Sequence, residues 1–315
     1  MRRLAVIGGL LAAAAASGAR AQSAPPPGCT VDLLARLPLS ASRGRFSAPV
    51  NLDGQDVQMM VDTGAQRAAL SPRAADRLGL AVDSGKTFRT NGVGGRSVPE
   101  HPRVVGQVRL GPVMWPRYGM QAVDSLPAPG PDDATAPEGI VGADMLSSFD
   151  VELDFPGRTM RLFSVVGCGG TFATLSGYDA LTPLEGPRNL FVIPVTVNGA
   201  KLRALIDTGA NASILGRSAA RAAGVDAAAL KNDLQGTSTG TRGAAVASHR
   251  HRFDSLTIGS TRFAGPQIAV QDSDLGAFDM LLGMDYLRTR TIWLSYATGR
   301  LFIRNAAPPP APPAP

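Results

Sequence analysis

The sequence predicts an all-β chain built from two related halves, and three observations carry that expectation. Glycine (36) and proline (25) are abundant among the 315 residues while aromatics make up only 5%, a composition suited to many short strands joined by tight turns. Two apolar blocks each occur twice, in the same order and at nearly the same spacing. Hairpin signals and brief helical segments fall at matching offsets around each copy. Internal repetition of this kind identifies a structural unit before any single element is assigned.

The first block runs Met59-Met60-Val61-Asp62-Thr63-Gly64-Ala65 and on to Leu70. It returns in the second half as Ala204-Leu205-Ile206-Asp207-Thr208-Gly209-Ala210 and on to Leu215. Asp53-Gly54 and Asn198-Gly199 precede the two copies, flanked by alternating apolar residues, and predict tight hairpins. After each copy a short Ala/Arg-rich segment, Pro72 to Leu80 and Arg217 to Ala223, predicts one or two helical turns closed by Gly79 and Gly224. The second block, Gly139-Ile140-Val141-Gly142-Ala143-Asp144-Met145-Leu146, returns as Met280-Leu281-Leu282-Gly283-Met284-Asp285-Tyr286-Leu287, almost the same distance along the chain. Each copy runs into a predicted strand, Phe149 to Phe155 and Thr291 to Tyr296.

A hydrophobic pair followed by Asp-Thr-Gly-Ala, with a second hydrophobic pair and glycine further along the same half, resembles the half-domain of aspartic proteases. The resemblance covers nearly all of the chain beyond Ala21. Alanine after each Asp-Thr-Gly, and the absence of a pepsin-type tyrosine in the glycine-rich segments that follow, make the halves similar to retropepsins fused in one chain. The resemblance implies a bilobed acid-protease fold, two homologous β-barrel-like halves with short helices and an active-site cleft between them. It also implies an aspartic endopeptidase with catalytic residues Asp62 and Asp207, no cofactor and no metal, acting on a protein or peptide substrate.

The chemistry accounts for the residue types. Hydrolysing a peptide bond requires an activated water and a polarised carbonyl together. Two carboxyls about 3 Å apart cannot both ionise, so the pair holds one proton and supplies base and acid at once. Gly64 and Gly209 would let the two loops approach closely and turn N–H groups toward the carboxylates. In the family, Thr63 and Thr208 would bond across the interface. The resemblance also calls for a glycine-rich flap over the substrate. Gly92, Val93, Gly94 and Gly95, following Asn91, fit the first flap, with a less distinct counterpart within Gln235 to Gly243. Arg67 stands where the second copy has Ala212, so an inward-pointing guanidinium would favour ionised Asp62 and an outward one would not. A non-cleaving exported peptide-binding protein on the same bilobed fold is the alternative reading, motivated by that irregular first motif.

Residues 1–21 read as a secretory signal peptide: Arg2 and Arg3, an apolar run from Leu4 through Ala16, and Ala19-Arg20-Ala21 before Gln22. The expected location is periplasmic or secreted, with no membrane attachment after cleavage. Pro26-Pro27-Gly28 before Cys29 do not form a lipobox. Cys29 and Cys168 are the only cysteines, and in an oxidising compartment an even pair predicts a disulfide. The remaining organisation reads as an N-terminal half over 22–165, an inter-lobe segment without clear period over 166–188, a C-terminal half over 189–305 and a disordered Pro/Ala tail over 306–315.

The net charge of +6 falls to +3 once Arg2, Arg3 and Arg20 leave with the signal, 28 basic residues remaining against 25 acidic. These charges are dispersed with little aromatic interleaving, so no nucleic-acid partner is expected. His249 and His251 alternate on a predicted strand and read as solvated, with no acidic or cysteine neighbour at metal-ligand spacing. No Gly-x-Ser-x-Gly elbow occurs. Because the two halves are tethered, intramolecular pairing is expected to prevail over exchange between chains, giving a monomer with an internal pseudo-twofold.

Overall fold

The structure, a computed structural model, describes residues 28–89, 99–123, 136–168, 177–239 and 245–305. The expected signal peptide, the Asn91–Gly95 flap tip and the Pro/Ala tail therefore lie outside the described residues.

Each half contains a hairpin whose turn is written in the sequence. Arg45–Leu52 pairs with Gln55–Val61 around Asp53 and Gly54, whose φ values are 49° and 87°. Val192–Val197 pairs with Ala200–Ile206 around Asn198 and Gly199, at 47° and 87°. Two consecutive positive φ angles define the turn whose twist matches right-handed strands, and Asn-Gly or Asp-Gly adopts it at least cost. The predicted short helices are present at Pro72–Arg77 and Arg217–Ala222. Ser71 caps the first, its hydroxyl oxygen accepting from the Ala74 N–H at 3.1 Å.

The second strand of each hairpin continues into the arrangement that positions the site. In the N-terminal half, Gly139–Val141 lies between Gln55–Val61, to which it is parallel, and Ala69–Leu70, to which it is antiparallel. In the C-terminal half, Met280–Leu282 lies in the same way between Ala200–Ile206 and Ile214–Leu215. Strands at the centre of such a sheet are covered on both faces. Their runs are accordingly continuously apolar, and Gly139–Val141 and Met280–Leu282 are buried throughout.

Among the described residues these strands belong to an eight-stranded sheet in the first half and a nine-stranded sheet in the second. In the first, Arg45–Leu52 also pairs with Arg103–Leu110, curling the sheet toward a barrel. A third sheet of six strands joins the halves. Its central contact sets Asp150–Asp154 antiparallel to Arg290–Ser295, with Val151 opposite Leu294 and Leu153 opposite Ile292. Both predicted strands after the second repeat block thus meet one another, and buried side chains of the two halves form one continuous core cluster.

The segment read as having no clear period contributes a strand of its own, Asp179–Leu181, which pairs with Arg300–Asn305 at the sheet's edge. So short a strand leaves no periodic signal. At the opposite edge Thr30–Pro38 pairs with Thr159–Val166. There the expected disulfide joins Cys29 to Cys168, closing 139 residues of sequence separation.

Candidate active site

Asp62 and Asp207 each lie one residue beyond the end of a central strand, held by a backbone bond from the neighbouring one. The Asp62 N–H donates to the Val141 carbonyl and the Asp207 N–H to the Leu282 carbonyl, both at 3.1 Å. The chain then turns sharply beneath each carboxyl. Gly64 and Ala65 N–H groups donate to Asp62 Oδ1 at 2.9 and 3.1 Å. Gly209 and Ala210 N–H groups donate to Asp207 Oδ1 at 2.9 and 3.0 Å. The side chains of Ala65 and Ala210 offer no donor, yet their backbone N–H groups do.

The threonines lock the two loops to each other. Thr63 Oγ1 donates to the Ile206 carbonyl and Thr208 Oγ1 to the Val61 carbonyl, each at 2.6 Å. In return the Thr63 N–H donates to Thr208 Oγ1 at 3.1 Å and the Thr208 N–H to Thr63 Oγ1 at 3.2 Å. Each hydroxyl thus both donates and accepts across the interface, in a buried pair where an unpaired polar group would be costly.

This crossing brings each glycine against the opposite carboxyl. A Cβ on Gly64 would stand 2.6 Å from Asp207 Cγ, and one on Gly209 would stand 2.4 Å from Asp62 Cγ. Only glycine permits that approach. A second glycine pair supports the loops from below. A Cβ on Gly142 would meet the Arg67 carbonyl carbon at 2.4 Å, and one on Gly283 the Ala212 carbonyl carbon at 2.6 Å.

Burial raises both carboxyls. For Asp207 loss of solvent comes first and the neighbouring Asp62 charge second, together pushing it up to about 8. Asp62 is raised by burial, against which the Gly64 and Ala65 N–H groups and then the Arg45 charge act. A pair sharing one proton titrates as a unit.

Several residues here were not singled out from the sequence. Asp144 Oδ1 accepts from the Ala68 N–H at 2.9 Å, and Asp285 Oδ2 from the Ser213 N–H at 2.9 Å, so the repeated aspartates of the second block hold the far end of each loop. Their repetition was the available signal. Tyr118 Oη donates to Asp144 Oδ2 at 2.6 Å, whereas Asp285 takes the Ser213 hydroxyl at 2.7 Å. Arg45, the first residue of Arg45–Leu52 after the turn from Ser40–Ser42, donates from Nε to the Gly209 carbonyl at 3.2 Å. It had no repeat signal.

Arg67 is not the cation beside the pair. It is exposed, and its guanidinium lies 4.4 Å from the centre of the Phe88 ring. Phe88–Arg89 pairs with Pro99–Glu100 at the base of the first candidate flap, whose Gly92, Val93, Gly94 and Gly95 tip lies outside the described residues. The second candidate flap is a hairpin of Leu234–Thr239 and Ala245–Arg252, with residues 240–244 likewise outside. On that hairpin His249 and His251 are not solvated as expected. Their side chains are only 18% exposed, and each faces an aspartate: His251 Nδ1 lies 2.6 Å from Asp233 and His249 Nε2 lies 3.8 Å from Asp272. Strand pairing with Gln267–Gln271 brings Asp272 to His249, a contact invisible in local spacing.

A family profile described as aspartyl protease matches residues 48–145 and again residues 193–286. Among solved structures the chain is similar to the aspartic proteinase from Irpex lacteus, with a TM-score of 0.53 and 14% identity over 88% of this chain and 98% of that one. No curated protein sequence matches.

Proposed function

The chain belongs to the aspartyl protease family, and from that premise we propose that it is an endopeptidase in which Asp62 and Asp207 together activate water for attack on a peptide bond. The observation that carries the reading is the mutual approach of the loops, each glycine set against the opposite carboxyl so that both acids face one point. At that point the ionised carboxylate takes a proton from water as its oxygen attacks the carbonyl carbon. The neutral carboxyl gives its proton to the carbonyl oxygen, forming a gem-diol. Return of a proton to the nitrogen, with loss of one from a hydroxyl, breaks the C–N bond and restores the starting state. No covalent enzyme intermediate forms, and each proton transfer contributes about 10²- to 10⁴-fold.

Crossed threonine bonds support this chemistry by fixing the carboxyls before substrate arrives, which removes the entropic cost of assembling them. The two glycine-tipped segments serve as flaps over a bound peptide. The enzyme works as a monomer outside the cytoplasm, periplasmic or secreted, its residues 1–21 acting as a signal peptide and its Cys29–Cys168 bond suiting an oxidising compartment.

The test is digestion of a denatured protein at weakly acidic pH by the wild type and by Asp62→Asn and Asp207→Asn, with and without a pepstatin-type inhibitor. Cleavage by the wild type alone, blocked by the inhibitor, is expected. Full cleavage by either single variant refutes the paired-acid mechanism, and absence of cleavage by correctly folded wild type favours the non-cleaving peptide binder.

A further inference from the structure

The two halves repeat closely, yet they differ at a charged position that touches the opposite loop. Ser47 is opposite Met60 and Val192 opposite Leu205, equivalent pairs in the two copies of the repeat. That register makes Leu190 the counterpart of Arg45. Leu190 packs against the cluster of Val192, Leu205, Leu275 and Leu281. Arg45 instead follows a turn at Arg43 and Gly44, both with positive φ, that leans on the loop of the other half. There a Cβ on Gly44 would reach Asn211 Oδ1 at 3.4 Å. The Arg45 Nε donates to the carbonyl of Gly209, the residue whose Cα is set against the Asp62 carboxyl.

We propose that Arg45 is a positioning residue that keeps the negative charge of the pair on Asp62 and the shared proton on Asp207, making Asp62 the base toward water and Asp207 the acid toward the substrate carbonyl. This assignment rests on the proposed paired-acid reading. In the first step Asp62 gains the water proton as Asp207 gives its own to the carbonyl oxygen. In the second, Asp62 gives that proton to the nitrogen as Asp207 recovers one from a hydroxyl, so protons and charge balance over the cycle.

Among the described residues, Arg45 is the cation that stands among the leading influences on the pair. Around the carboxyls stand the N–H groups of Gly64, Ala65, Gly209 and Ala210, which act alike on both sides. The Thr63 and Thr208 hydroxyls are committed to carbonyls. Behind the loops, Asp144 with Tyr118 and nearby Arg67 serve the first half, and Asp285 with Ser213 the second. Among the described residues Arg45 forms no ion pair elsewhere. Its charge favours the ionised form of Asp62, whereas no cation is among the leading influences on Asp207.

The experiment is a carboxyl titration by ¹³C NMR on aspartate-labelled protein in which one member of the pair is replaced. Asp207→Asn leaves Asp62 to be read, and Asp62→Asn leaves Asp207. Into each is placed Arg45→Gln, which retains a donor for the Gly209 carbonyl while removing the charge, or Arg45→Lys, which retains the charge. Removal of a neighbouring opposite charge is expected to raise the Asp62 titration by about one pH unit or more, and to move Asp207 less than half as far. Arg45→Lys should leave both within about 0.3 pH units, on the ground that a like charge is retained. In the otherwise intact enzyme Arg45→Gln should carry the acid limb of kcat/KM upward by a similar amount. Equal movement of both carboxyls, no movement of either, or an equal effect of Lys and Gln overturns the assignment. The titration does not require proteolysis, so its failure is separable from failure of the endopeptidase reading.

Discussion

Replacing Gly209 with alanine isolates the close approach on which the site depends. No positive φ is associated with Gly209, so alanine meets no backbone penalty there, unlike at Gly199 with its φ of 87°. The penalty is steric. The new Cβ would fall 2.4 Å from both Cγ and Oδ2 of Asp62, whereas comfortable nonbonded separations are about 3.5 Å, so the carboxyl and the loop must part by about 1 Å. A misplacement of that size costs about 100-fold in rate, or about 2.7 kcal/mol of transition-state stabilisation. Overpacking of this kind also lowers stability by about 1–3 kcal/mol.

The assay is kcat/KM on a quenched fluorescent peptide, run beside thermal unfolding so that loss of fold is separated from loss of geometry. Gly199→Ala is the control. A Cβ there meets nothing within 4 Å, so only conformational strain of about 1 kcal/mol should appear, with activity unchanged. Folded Gly209→Ala retaining more than a tenth of wild-type kcat/KM would refute the argument that this approach sets the carboxyl geometry.

Thr63→Val and Thr208→Val each delete a hydroxyl that donates and accepts across the interface, and each should cost about 2–4 kcal/mol in denaturant unfolding with a larger relative loss of activity. The pH profile of kcat/KM should be bell-shaped and centred at roughly pH 4.5–6.5; an optimum near pH 2–3 would contradict the raised carboxyls. Stability should fall as pH rises from about 4 toward 8, because Asp207 prefers its neutral form in the native state but ionises at the ordinary value when unfolded. Asp207→Asn should flatten that decline, and a wild-type melting temperature that rises over this range sinks the point. Reducing Cys29–Cys168 should lower stability by at most about 5 kcal/mol, the chain-entropy limit for so long a loop, and leave kcat/KM unchanged because the bond lies at the edge of the six-stranded sheet.

The parts of the fold legible in the sequence are those fixed by local chemistry. Asp53-Gly54 and Asn198-Gly199 announce their turns because few other residues accept two positive φ angles. The apolar runs Met59-Met60-Val61 and Ala204-Leu205-Ile206 leading to Asp62 and Asp207 are legible because both faces of each are buried, and the repeat told which copies correspond. What could not be read depends on approach between distant segments. Arg45 reaches Gly209 across 164 residues, and nothing in its own neighbourhood marks it. Arg67 stood conspicuously close to Asp62 in sequence but turns toward Phe88. His249 and His251 looked solvated because their aspartate partners come from just beyond another strand and from the residue just before the hairpin. Asp179–Leu181 was hidden because so short an edge strand is defined by its partner.

The reciprocal threonine bonds bear on when activity can arise during synthesis. Every one of them spans between 143 and 147 residues. A ribosome that has completed only the first half has made a chain with one aspartate of the pair, no opposing glycine and a threonine whose partners do not yet exist. Long-range contacts of this kind form late, after their loop-closure entropy has been overcome. On the proposed paired-acid reading, the nascent polypeptide lacks these intramolecular bonds and the second carboxyl until the second half has emerged and docked. On that reading, division of one site between two halves makes completion of the chain the step that assembles it.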